Sequence, residues 1–331
     1  MINKKLIDVK DKIFVAGHRG MVGSAICRVL IKNGYKNIIK CEKKDLDLRR
    51  SSDVKDFFEK NKPDIVILSA AKVGGIFANN NFPGDFIIDN LMIQTNVIQS
   101  SFQFGVKRFL FLGSSCIYPK FSKQPIKEKY LLDGPLENTN QYYAIAKISG
   151  LKLCEALSKQ YDFDAICLMP TNLYGTGDNY NLQNSHVMPA LIRKFYEAKE
   201  NNFESVYCWG DGSPLREFLH CDDLADACLY SLENINLDLL RKYYPSIDDF
   251  SAHINVGTGN DISIKNLAEM ISKILEYKGE IIWDLEKPNG THQKKLDISL
   301  MSDLGWKYSI PFKEGVKKTI DEYSRIYLSN K

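Results

Sequence analysis

Seven residues limit most sharply what this chain can fold into. Gly17-His18-Arg19-Gly20-Met21-Val22-Gly23 follow a short apolar run, Lys12 to Ala16. They precede an apolar-periodic run from Ser24 to Asn33. Buried strand, glycine-rich turn and helix come in the order a dinucleotide-binding unit requires. Glycine lets the backbone turn tightly and approach a pyrophosphate, and the helix N-terminus stabilises the phosphate charge. All seven residues are therefore read as cofactor-binding.

The pattern continues. Asn37 to Cys41 reads as a second strand, ending at Glu42-Lys43-Lys44. A carboxylate there would hold the adenine ribose of NAD, whereas cations favour the 2′-phosphate of NADP. Lys43, Lys44 and Arg19 outnumber Glu42, so NADP(H) is the expected cofactor. Asp64 to Ser69 is a further buried strand, running into Ala70-Ala71-Lys72-Val73-Gly74-Gly75-Ile76, whose small residues permit close approach to a cofactor. Asp85 to Phe104 reads as a long helix, and Arg108 to Gly113 as the next strand, followed by Ser114-Ser115-Cys116-Ile117-Tyr118-Pro119. Strands alternating with helices predict a doubly wound α/β fold of Rossmann type. Its sheet is parallel, with ligands at the carboxyl edge.

Tyr143 and Lys147 lie one turn apart on one predicted helix face. A free phenol has a pKa of roughly 10, and a nearby cation would lower it and make the Tyr a usable acid or base. The pair recurs by chance in many helices and gains meaning only from the units around it.

Composition excludes several classes. A net charge of +3 gives no argument for nucleic acid or a membrane surface, and no apolar run reaches transmembrane length. The eight cysteines form no Cys-x-x-Cys pair, so no zinc site is expected, and the pattern suits a reducing cytoplasm. The first eleven residues, with Lys4, Lys5 and Lys10, lack an apolar stretch of the kind a signal peptide carries.

The Gly-x-x-Gly-x-x-Gly spacing resembles the extended short-chain dehydrogenase/reductases. Residues 17–26, 70–76, 113–119, 143–147, 169–175, 184–191 and 216–220 together resemble the GDP-L-fucose synthase family, from about residue 12 to residue 325. The resemblance implies NADPH-dependent conversion of GDP-4-keto-6-deoxy-D-mannose to GDP-L-fucose, by epimerisation at C3 and C5 and reduction at C4. Both epimerised carbons flank the C4 ketone, so losing a proton there yields a delocalised enolate. Cys116 and His186 match the family's proton-exchange pair. Ser114 and Tyr143 would hydrogen-bond the C4 oxygen, and Lys147 would assist Tyr143. Besides the glycine turn, Lys43 and Lys44, the resemblance places Ala70, Ala71, Leu112, Gly113, Lys147, Pro170, Thr171, Asn172, Leu173 and His186 on the cofactor. Ser115, Asn172, Lys194, Trp209, Arg216, Asn289 and Lys294 fall to the GDP-sugar. Arg suits a diphosphate through its paired donors. Trp209 could stack on a ring or pack in the core. The family also implies a homodimer, its helices around Leu91 to Phe104 and Ala144 to Leu157 pairing as a four-helix bundle.

Asp164 to Met169 reads as another strand, and composition shifts to Asn, Tyr and Gln from Asp178. The expected division is a cofactor domain, 1–178, with segments returning near 219–233 and 253–258, and a smaller substrate domain, 179–331. Residues 234–251, with Tyr243-Tyr244-Pro245, read as a loop insertion. Two departures from the family stand out. Residue 194 is Lys where Arg is frequent, and Pro288-Asn289-Gly290-Thr291-His292-Gln293-Lys294 replaces Pro-Asp-Gly-Thr-Pro-Arg-Lys. They leave open a relative that only reduces the C4 ketone of a related GDP-sugar, such as a 6-deoxy-heptose. An idle NADP-binding sensor and an NAD-linked sugar 4-epimerase are the other readings of such a fold.

Overall fold

Short apolar strands bounded by turns build one sheet, and all but its two-residue edge strand are buried on both faces. In a computed structural model that describes residues 5–182, 184–244, 250–287 and 289–329, five of these strands are β1 (Ile13–Ala16), β2 (Ile38–Ile39), β3 (Ile65–Leu68), β4 (Arg108–Leu112) and β5 (Ala165–Pro170). Lys4, Pro245 and Pro288 lie outside the described residues. The later strands are β6 (Asn172–Tyr174), β7 (Ser205–Trp209), β8 (Leu215–His220), β9 (His253–Val256), β10 (Asp261–Ser263), β11 (Glu280–Asp284) and β12 (Gln293–Lys294). The main sheet runs β2-β1-β3-β4-β5-β9, every pairing parallel. The chain winds outward from β1 to β2 and then reverses to β3. The crevice at that reversal is where ligands bind in such sheets.

Helices cover both faces, which is why β3 and β4 are apolar without alternation. Val15 belongs to one core, with Ile26 and Leu30 of α1 (Met21–Lys32). Its neighbours Phe14 and Ala16 belong to the other, with Val54 and Phe58 of α2 (Ser51–Asn61). After α3 (Ile76–Asn81), the long helices α4 (Pro83–Gln103) and α5 (Gln141–Tyr161) pack on each other. Gly150 permits that contact, because a Cβ there would lie 2.7 Å from Phe111 and 2.8 Å from Gln94.

A third core gathers Met188, Ile192 and Phe195 of α6 (Val187–Glu200) with Val206, Phe218, Leu267 and Ile320. It lies under two smaller sheets, one of β11 and β7, the other of β10, β8, β12 and β6. The segment near 219–233 returns only in part. Its strand, β8, does not join the main sheet, because β6 and β12 run parallel to it and β10 antiparallel, filling its edges. The following helix, α7 (Cys221–Asn234), does return and packs on α1. Within 234–251, expected as loop, residues Leu237–Arg241 form a short helix.

Candidate active site

The glycine turn owes its spacing to its own backbone. Gly17 has φ +91°, and a Cβ there would lie 2.7 Å from the Ala70 nitrogen. A Cβ on Gly23 would lie 2.1 Å from the Gly17 carbonyl oxygen. At Gly20 the nearest atom is 3.6 Å away, so the middle glycine faces open space in the cleft. α1 starts immediately after it with no side-chain cap, leaving first-turn N–H groups for an anion. Arg19 and Lys44 both pair with Glu42, at 3.0 and 3.6 Å. Lys43 lines the cleft and Lys44 does not. The His18 imidazole lies below its usual range, through burial and then the charges of Lys40 and Arg19.

Beyond the turn opens a cleft of about 1600 Å³. Ser114, Cys116, Tyr143 and His186, from three separate stretches of chain, all line it. Ser114 follows β4 and accepts the Cys116 N–H at 3.2 Å, which fixes a short 3-10 turn. The Cys116 sulfur accepts from Asn140 Nδ2 at 3.3 Å. Tyr143 packs edge-on against Phe86. Burial raises its phenol pKa, the Cys116 sulfur adds to the rise, and a hydrogen bond with Ser114 opposes it. This reverses the expected effect of Lys147, which lies beneath the site rather than on its wall. The residue is 4% exposed, and its ammonium donates to the Leu112 carbonyl at 2.7 Å and sits 4.8 Å from the Phe111 ring centroid and 5.9 Å from that of Tyr143. Burial brings it down to about 8. Leu112 thus reaches the site only by holding Lys147.

Ala70, Ala71, Gly113, Pro170, Thr171, Asn172 and Leu173 border the cleft. Gly74-Gly75 has a different use from close cofactor approach. Gly75 N–H donates to the Asn184 carbonyl at 3.1 Å, and a Cβ there would meet Ser185 oxygen at 2.5 Å. The loop thereby admits the segment leading to His186. That residue is open to the cleft, yet the surrounding walls withdraw water and lower its pKa.

Ser115, Lys194, Trp209, Arg216, Asn289 and Lys294 also line the cleft. Trp209 is 55% exposed, so it is not a core residue, and Lys194 and Lys287 approach its ring at 5.9 and 6.0 Å. Lys194 donates to the Tyr207 carbonyl at 2.8 Å, and burial lowers its pKa. Arg216 is also pulled down by burial, and among the described residues no carboxylate forms an ion pair with it. Asn289 Oδ1 accepts the Asp211 N–H at 3.1 Å, and Gln293 donates to Asp261 at 2.6 Å.

The profile of the NAD dependent epimerase/dehydratase family matches residues 13–243. GDP-L-fucose synthase 1 of Arabidopsis thaliana is 52% identical over 316 residues, 96% of this chain and 94% of that protein. GDP-L-fucose synthase of Escherichia coli (strain K12) is 49% identical over 310 residues, 94% of this chain and 95% of that protein.

The chain belongs to the GDP-L-fucose synthase family.

A GDP-mannoheptose C4 reductase from Campylobacter jejuni, solved with NADP bound, is 38% identical with a TM-score of 0.87, covering 96% of this chain and 99% of that one. For a GDP-L-fucose synthase family member, the cleft holds more than the family motifs indicated. Leu46, Asp47, Leu48 and Arg49 wall it near β2, with Arg49 forking onto Asp47 at 2.6 Å and reaching Asp89 at 3.2 Å. Glu217, fully buried, accepts backbone N–H groups of Thr258, Gly259 and Leu296 at 2.6 to 2.8 Å, tying β8 to two distant loops beside Arg216. Only its place inside Arg216-Glu217-Phe218 could have signalled it. His220, Cys221 and Asp222 cluster as metal ligands might, but Asp222 pairs with Arg28 at 2.6 Å and the group sits at a helix N-terminus, which disfavours a cation.

Proposed function

We propose that this protein is an NADPH-dependent epimerase-reductase that converts GDP-4-keto-6-deoxy-D-mannose to GDP-L-fucose. One observation carries the reading: Ser114, Cys116, Tyr143 and His186 border a single cleft behind the glycine turn. The cofactor fits that turn, since Gly20 is open and the start of α1 is uncapped. Gly17 to Gly23 hold its diphosphate and Lys43, with Arg19, its 2′-phosphate. The small residues Ala70, Ala71 and Gly113 and the 170–173 segment shape the rest of its bed. NADPH, when bound, supplies hydride to C4.

Arg216 and Lys294 take the GDP-sugar diphosphate, and Trp209 offers a face for stacking. Cys116 and His186 exchange protons at the carbons flanking the ketone, on opposite faces of the ring. Ser114 and Tyr143 hold the C4 oxygen. A phenol whose pKa is raised stays protonated at neutral pH, the state a proton donor to a developing alkoxide must have. Lys147 stiffens the position of Tyr143 from below.

Catalysis in deuterated water tests this. The expected product carries deuterium at C3 and C5. A reduced product without it would favour the second reading, a C4 reductase of a GDP-6-deoxy-heptose, which the likeness to the heptose reductase supports. Tyr143→Phe should lower reduction by roughly 10²- to 10⁴-fold while NADPH still binds.

Residues 1–178, with α7 and β9, serve as the cofactor domain, and the remainder holds the sugar nucleotide. No helix among the described residues is long and apolar enough to cross a membrane. Eight free cysteines fit a reducing cytoplasm. Ile88 and Met92 of α4 and Tyr142 and Ile145 of α5 are exposed, a face two copies can cover as a four-helix bundle. Light scattering should give twice the 37.8 kDa chain mass, and a value near one chain would reject the dimer.

A further inference from the structure

Asn140 stands immediately before α5, where an Asn side chain ordinarily accepts a first-turn N–H. It makes no such cap. Its backbone oxygen accepts from Ala144 at 3.0 Å, so the main chain is in helical register while the side chain points elsewhere. The amide borders the cleft, with Nδ2 donating to Cys116 Sγ at 3.3 Å. The other half, Oδ1, is buried and has no partner among the described residues. A forgone cap and an unpaired buried oxygen both destabilise a fold. Among the described residues nothing in the fold offsets them, so the Nδ2–Cys116 contact is what the side chain is kept for.

Resting on the epimerase-reductase reading, we propose that Asn140 is a positioning residue of the epimerisation step. Nδ2 aims and holds the Cys116 sulfur. Two ties then fix the base: Ser114 holds the Cys116 main chain and Asn140 holds its sulfur. In the step served, a thiolate takes the proton from a carbon beside the ketone. The C–H bond breaks, an S–H bond forms, and the electron pair moves onto the C4 oxygen as an enolate. A proton then returns to that carbon from the opposite face. An amide N–H donated to the sulfur holds it in place for that transfer.

Iodoacetamide labelling of Cys116, read by peptide mass spectrometry without any sugar, tests the sulfur contact independently of the function. Asn140→Ala should slow labelling roughly tenfold, as expected for losing a hydrogen bond to a charged group, with NADPH affinity unchanged. It should also slow deuterium wash-in at C3 and C5 of GDP-4-keto-6-deoxy-D-mannose about tenfold, with KM little changed. An unchanged labelling rate overturns the proposal, as does slowed labelling with unchanged wash-in. Should Asn140→Ala not fold, Asn140→Asp carries the test. Its carboxylate lacks the donor and repels a thiolate, so labelling and wash-in both fall. Wild-type enzyme that labels but shows no wash-in would reject the epimerase reading and leave the sulfur contact standing.

Discussion

The glycine turn after β1 and the Arg216 wall both suit anions, by opposite means. The turn uses main chain. Gly17 and Gly23 are demanded by contacts with Ala70 and with each other, Gly20 stays open, and the donors are N–H groups at the start of α1. The Arg216 wall uses side chains, gathered from β8 and from residues 289–294 beside it. Main-chain sites are written as local spacing. Side-chain sites depend on which distant strands happen to pair.

The sharpest way to break that contrast is to add a methyl group to the turn. In Gly23→Ala the new Cβ lies 2.1 Å from the Gly17 oxygen, a backbone atom that cannot swing aside. NADPH affinity, measured by fluorescence titration, should fall by roughly 100-fold or more, or the protein should fail to fold. Gly20→Ala meets nothing nearer than 3.6 Å within the protein and should cost less. If Gly23→Ala binds NADPH normally, the turn is not held by its own backbone.

Arg216→Gln addresses the other wall. It removes a cation that no carboxylate among the described residues holds in an ion pair, so KM for the GDP-sugar should rise roughly 10- to 100-fold. NADPH affinity should hold within twofold or so. Loss of both affinities together would mean that the two walls are not separate sites.

A smaller, graded effect comes from pH. Lys147 is held at about 8, below the ordinary lysine range, because burial penalises its charged form. The folded protein therefore releases this proton before the unfolded chain does. Between pH 8 and the ordinary value of roughly 10.4, the unfolded chain binds more protons, and this group's contribution to stability grows with pH. Activity should move the other way. As pH rises through about 8 the cation under Tyr143 is lost, and reduction should decline. Lys147→Met should remove that limb of the pH profile; an unaltered limb would assign it to another group.

The same contrast explains what could be read in advance. Strand, turn and helix at 12–33 were legible because three glycines at fixed spacing admit few backbones. The parallel order followed from alternation. Tyr143 and Lys147 were legible as a pair, but the direction of the phenol shift was not. Spacing says that two groups are near, whereas burial beside Phe86 and Phe111 decides which effect wins. Asn140 was hidden because its position before a helix matches a cap, and only coordinates show the cap unmade. β8 was misplaced for a related reason: an apolar run does not reveal which neighbours fill its edges.

The mildest test concerns the residues that depart most from the family. Asn289 and Gln293 replace Asp and Arg in a segment that lines the cleft, which suggested altered specificity. The geometry gives both side chains other work. Asn289 Oδ1 takes the Asp211 N–H, and an Asp there would keep that acceptor. Gln293 donates to Asp261, and an Arg there would find the same carboxylate. Asn289→Asp adds a like charge near Asp211, partly screened at this exposed site. Each single change, and the pair together, should therefore alter KM for the GDP-sugar by no more than about threefold, since exposed charge changes are typically worth under 1 kcal/mol. Steady-state kinetics with GDP-4-keto-6-deoxy-D-mannose and a 6-deoxy-heptose analogue would measure it. A shift beyond tenfold toward either sugar would mean that these side chains leave their protein partners for the hexose when it binds. The wall around Arg216 would then be remade by its ligand, as the turn around Gly20 is not.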